Sequence, residues 1–156
     1  MEQAANPKYS MAAGNYTDTL KQPGFFAFFC TQFLGAFNDN FYKMMVSLVA
    51  LNVAAAATGS FYIDLIAFLF ILPGVLFSGY AGHMADVRSK RTVLVAVKVF
   101  EIVVMGLAII GFWLQRVEPM LVIVFLMGMH AAFFSPAKYG ILPEMLPDKE
   151  LSRGNG

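Results

Sequence analysis

Residues 25–57, FFAFFCTQFLGAFNDNFYKMMVSLVALNVAAAA, decide the fold. Their apolar density is interrupted by Asn38-Asp39-Asn40 and Lys43. The flanking pieces, Phe25–Phe37 and Met44–Ala57, are 13 and 14 residues long. Neither reaches the ~20 apolar residues that cross a hydrocarbon core as a helix. A spanning helix over this stretch must therefore carry Asp39 inside the membrane.

The composition of the whole chain agrees with that reading. Of 156 residues, 58% are hydrophobic and 13% are charged, against the roughly 25% charged residues of a soluble domain. This rules out an ordinary soluble enzyme. Lys plus Arg (11) nearly balance Asp plus Glu (10), so there is no basic surface to hold a nucleic-acid backbone. The single Cys30 excludes an internal disulfide and a cysteine-built zinc site. The fold class expected is an all-α membrane protein.

Four transmembrane helices are expected, at about 25–57, 63–82, 92–114 and 120–142. The second contains Pro73-Gly74, where a membrane helix can bend if neighbours re-satisfy the freed carbonyls. The third carries Lys98 and Glu101. The fourth must include Ser135-Pro136-Ala137-Lys138 to reach a spanning length, and Pro143 and Pro147 are expected to close it. Residues 1–23 lack a sustained apolar run and read as a flexible tail, without the basic leader and cleavage site of a signal peptide. Lys8, Lys21, Arg88, Lys90, Arg91, Lys149 and Arg153 lie on one side of the spans, and only Arg116 on the other. The positive-inside rule thus places both termini in the cytoplasm. The close of the chain, Leu151–Gly156, reads as a cut, so an amino-terminal fragment is expected.

Asp39 is the sharpest candidate for function, because intramembrane carboxylates normally face a partner, a cavity or a substrate or ion path. Lys43, four positions on, offers a purely structural alternative as an ion-pair partner. Asn38 and Asn40 add donors and acceptors that a simple pair does not need. Lys98 and Glu101 repeat the pattern; Lys98 is close enough to the helix end to snorkel, whereas Glu101, roughly 15 Å in, is not. The candidate path therefore comprises Asp39, Asn38, Asn40, Lys43 and Glu101. Between the second and third spans, Gly82, Asp86, Arg88, Lys90 and Arg91 form a candidate gating loop, with Asp86 expected in the loop itself. Lys138 and Tyr139 read as a lipid-headgroup contact or an interface anchor. His83 belongs to the glycine-rich loop, and His130 reads as a helix-packing residue. No metal-ligand spacing, phosphate-cradling loop or nucleophile elbow occurs, so neither a cofactor nor an enzymatic activity is expected.

Three segments together resemble the lysophospholipid transporters of the major facilitator superfamily. They are Phe37-Asn-Asp39-Asn40, Gly79 to Arg91, and Ser135-Pro-Ala-Lys-Tyr-Gly-Ile-Leu-Pro143. Phe77-Ser-Gly-Tyr-Ala-Gly82, Ser89-Lys-Arg91 and Leu146-Pro-Asp-Lys-Glu-Leu-Ser-Arg153 are closer to the amino-terminal transporter domain of bacterial polypeptides fused to an acyltransferase and an acyl-carrier-protein synthetase. The resemblance runs from about Pro23 to Gly156. It implies twelve spans in two six-helix halves, of which this chain holds part of the first, working by alternating access. It further implies lysophospholipid movement from the outer to the inner leaflet of a bacterial inner membrane, with membrane lipids, the remaining helices and a fused or associated acyltransferase as partners. Asp39 matches the family's acidic residue in the first span, and Gly82 and Asp86 match the superfamily's loop motif. The loop departs from that motif at Val87 and Ser89, with Arg88 supplying charge one position late. A self-contained four-span scaffold, with Asp39–Lys43 and Lys98–Glu101 as structural pairs, is the competing expectation.

Overall fold

A computed structural model describes residues 23–53 and 56–146. They form four helices: α1 (Pro23–Val53), α2 (Ala56–Val87), α3 (Lys90–Leu114) and α4 (Val117–Met145). Residues 58–87 of α2, all of α3 and all of α4 are long and apolar enough to cross a membrane. α1 has the length, at 31 residues, but Asn38, Asp39, Asn40 and Lys43 cluster about its midpoint. The chain is an all-α membrane protein. The flexible tail expected for residues 1–23 lies outside the described residues except for Pro23, which opens α1. Pro147 and the chain end also lie outside them.

Several boundaries differ from expectation: α1 ends at Val53 and not at 57, α2 begins at Ala56 and not at 63, and two helix ends differ for clear physical reasons. α2 does not end at Gly82 but runs to Val87, so the loop before α3 shrinks to Arg88 and Ser89. Asp86 is therefore an exposed residue of the last helical turn and not a loop residue. The glycines weaken this helix without breaking it, because Ala81 and Ala85 are buried at 1% and 4% exposure and Ala85 packs with Val93, Val97 and Ala137. Pro143 likewise does not close α4, which continues to Met145. A proline forbids only its own bond to the carbonyl four residues back, and Leu142 and Leu146 remain packed on Phe25 and Phe28 around it.

α4 is the hub. α2 runs parallel to it and α3 antiparallel, each packed along its length, while α1 touches α2 and α4 and α2 barely meets α3. The main core gathers Tyr42 and Val46 of α1, Ile66 of α2, Val104 and Ala108 of α3, and Met120, Val124 and Met127 of α4. Helices in lipid gain from close packing and interhelical hydrogen bonds rather than from the hydrophobic effect. Both occur here: Gly128 lies directly against the Phe70 backbone, and the buried Tyr42 hydroxyl donates to the Met120 carbonyl at 3.3 Å. Outward, Trp113, Ile102, Ile109 and Val75 are more than 70% exposed. Such a surface suits lipid or further helices and not water.

α1 and α3 do not pack backbone to backbone. Side chains bridge them at mid-height, where Asn38 of α1 meets Glu101 of α3.

Candidate functional site

The centre of the site is the Glu101 carboxylate. α3 aims it inward, where three helices supply partners. Lys98, one turn earlier on α3, donates to Oε2 at 2.6 Å. Asn38 of α1 donates to Oε1 at the long distance of 3.5 Å. His130 Nε2 of α4 lies 3.0 Å from Oε2, close but not aligned as a hydrogen bond. Glu101 and Lys98 are 12% and 23% exposed, so the pair is largely shielded.

Lys98 thus turns into the bundle, contrary to the snorkelling expected from its depth. The reason lies across the cleft, on α1. Gly35 has no side chain, and a Cβ placed there would come within 2.7 Å of the Lys98 ammonium. The ammonium fills that gap, 4.7 Å from the centre of the Phe134 ring, an arrangement favourable to a cation.

Asp39 does not pair with Lys43. The Lys43 ammonium instead sits over the Phe70 ring at 3.9 Å. Among the described residues Asp39 has no ion pair, and its Oδ1 is buried without a hydrogen-bond partner. It shares a cavity of about 310 Å³ with Lys98, His130, Phe134 and Lys138. Asn38 and Glu101 line an adjoining cavity of about 410 Å³, into which Lys98 also projects. Asn40 stands apart: it is exposed, and its side chain bonds the Ala36 carbonyl of its own helix at 2.8 Å.

His130, expected as a helix-packing residue, does pack, and it also has a polar setting. It is 4% exposed, stacks on Phe134 at 5.8 Å, and has no hydrogen-bond partner at either ring nitrogen among the described residues. Buried polar groups are normally satisfied; Nε2 has Glu101 Oε2 3.0 Å away, which leaves Asp39 Oδ1 and His130 Nδ1 as buried polar atoms without a near partner among the described residues. The available sequence signal was spacing: His130, Phe134 and Lys138 follow one another every four residues along one face of α4.

The expected gating residues are dispersed at the end of the bundle where α2 ends and α3 begins. Gly82 is half-buried, Asp86 and Arg88 are exposed, and Arg91 borders the α1–α3 cleft. Lys90 alone finds a charged partner, Glu144 of α4, at 2.8 Å. Glu144 is well exposed and Lys90 about a third exposed, and surface pairs of that kind contribute about 0–1 kcal/mol. Glu144→Gln is therefore expected to leave the thermal midpoint of the protein in detergent nearly unchanged; a large fall would make this bridge a structural clamp. Lys138 lies over the ring of its neighbour Tyr139 at 5.3 Å, with no carboxylate partner among the described residues. Those residues also hold no group of His, Cys, Asp and Glu able to bind a metal ion.

This arrangement can hold a polar or charged group within the bundle. The chain is 30% identical over 138 residues to the lysophospholipid transporter of Klebsiella pneumoniae subsp. pneumoniae, covering 88% of this chain and 32% of that protein. The lysophospholipid transporter of Escherichia coli strain SE11 is 32% identical over 151 residues, with 94% and 35% covered. That of Photorhabdus laumondii is 29% identical over 150 residues, with 94% and 34% covered. The chain therefore spans about a third of the length of the curated relatives it matches. No solved structure matches it. Residues 23–154 match the family described as transmembrane secretion effector, and the chain belongs to that family of the major facilitator superfamily.

Proposed function

We propose that the chain is part of a transporter that moves lysophospholipid from the outer to the inner leaflet of a bacterial inner membrane by alternating access. Asp39, Asn38 and Glu101 line the path in this reading, and the end of the bundle carrying Arg88, Lys90 and Arg91 faces the cytoplasm. One observation carries it: polar groups from α1, α3 and α4 converge at mid-membrane, where Asp39 and His130 line one cavity and Asp39 Oδ1 is buried without a hydrogen-bond partner. Keeping charged groups at that depth is costly, and such residues mark substrate, ion or proton routes. The relatives' names supply the substrate class. The scaffold alternative pairs Asp39 with Lys43 and Lys98 with Glu101; the second pair is formed, but Lys43 is engaged with Phe70 and not with Asp39. Lys138 and Tyr139 border the same polar cavity, which favours a headgroup role over a depth anchor. Reacylation of the imported lipid falls to a fused or associated acyltransferase, and these residues perform no chemical step.

The test is leaflet-resolved uptake of labelled lysophospholipid by the full protein. Asp39→Asn is expected to lower uptake at least about tenfold, equivalent to about 1.4 kcal/mol, with the amount of protein in the membrane unchanged. Normal uptake by that variant would return Asp39 to a structural role.

A further inference from the structure

Three cavities meet at one side chain. Besides the two polar ones, an apolar cleft of about 570 Å³ opens between α1 and α3, walled by residues such as Phe28, Leu94 and Ile102. Lys98 lines all three. Phe134 stands between the Asp39 cavity and the apolar cleft, lining both. The Lys98 side chain thus lies where polar surroundings give way to apolar ones.

A single-chain phospholipid has the same layout. Its phosphate divides a polar headgroup from an apolar acylglycerol. We propose that Lys98 is the phosphate-contacting residue of the transport path, with the headgroup in the Asp39 cavity and the acyl chain in the α1–α3 cleft. This rests on the lysophospholipid reading above.

The chemistry suits the exchange. A lysine is a compact charge with three donors on a flexible stem and binds phosphate as a point charge. When Lys98 swings from Glu101 to a phosphate, the carboxylate keeps Asn38 on Oε1 and His130 beside Oε2. Glu101 is then not left bare in a medium where that is expensive. Gly35 is the positioning residue: its missing Cβ is the seat in which the ammonium rests.

The experiment uses the full protein reconstituted in vesicles. Uptake of labelled lysophospholipid is competed with unlabelled lysophospholipid or with the monoacylglycerol of the same chain, which lacks only the phosphate and headgroup. The unaltered protein is expected to prefer the phospholipid competitor strongly. Lys98→Gln is expected to raise KM about tenfold or more, the loss expected on removing a charge-assisted hydrogen bond, and to abolish that preference. Lys98→Arg restores the preference, and Gly35→Ala weakens it by a smaller factor. A Lys98→Gln protein that loses kcat but keeps the preference overturns the proposal, because Lys98 then serves only to hold Glu101. If Lys98→Gln does not accumulate, Gly35→Ala decides: an unchanged preference overturns the proposal. Failure of the unaltered protein to take up lysophospholipid overturns the transport reading and this proposal with it, whereas normal uptake with an intact preference in the variants overturns this proposal alone.

Discussion

Gly128→Ala is expected to destabilise the protein at the upper end of the about 1–3 kcal/mol typical of overpacking, and Gly128→Val more. The added Cβ would collide with the Phe70 carbonyl oxygen and lie 2.9 Å from its carbon and 3.1 Å from its Cα. All three are backbone atoms, so no rotamer change relieves the clash. α2 and α4 would have to separate, loosening Ile66, Val124 and Met127, which are packed in one core. α4 is the helix against which the others assemble, so the damage would spread beyond one contact. The measurement is the thermal midpoint of the protein in detergent, beside Gly106→Ala as a control, since a Cβ at Gly106 meets nothing within 4 Å. Equal midpoints for the two variants would mean that α2 and α4 do not approach this closely.

That contact shows what composition can and cannot reveal. The number of helices and their centres were legible, because a bilayer demands a run of apolar residues and this chain has four, one of them carrying Asp39. The ends were not legible. α2 has 32 residues, roughly 48 Å at 1.5 Å per residue, well beyond the roughly 30 Å hydrocarbon core. Reading its length from membrane thickness stopped it at Gly82, five residues early, and left Asp86 in a loop. Nothing local ends the helix there, and burial of Ala85 against α3 and α4 carries it on.

The site divides in the same way. Asp39 and Glu101 stood out because a carboxylate is conspicuous in an apolar helix. His130 did not, since its setting depends on Glu101, 29 positions earlier on another helix. Lys98 was misread for the same reason. Its depth alone favours snorkelling, but a gap at Gly35 and an acceptor at Glu101 draw it inward, and both are facts of tertiary packing. Asn38 and Asn40 look equivalent in sequence, yet 200° of helical rotation sends one to Glu101 and the other out of the bundle.

Glu101→Gln is expected to be the most damaging single change at the site. It preserves shape and retains an oxygen for Asn38, but leaves the Lys98 ammonium at membrane depth without the carboxylate that holds it at 2.6 Å. Removing one partner of a buried pair costs about 3–5 kcal/mol, chiefly because the other charge is left uncompensated. Because Lys98 is 23% exposed and not fully enclosed, the lower part of that range is expected, read as a fall in thermal midpoint or in the amount of protein in the membrane. The double variant Lys98→Met, Glu101→Met removes both charges, and apolar replacement of a whole buried pair is often neutral. It is expected to recover most of the lost stability while failing to transport, since the group proposed to meet the phosphate is gone. Stability and transport would then separate within one pair of residues, which a scaffold role for Lys98–Glu101 does not predict. If Glu101→Gln unfolds at the same temperature as the unaltered protein, Lys98 has found another anion, and the partnerless Asp39 carboxylate on the wall of the same cavity is the one within its surroundings.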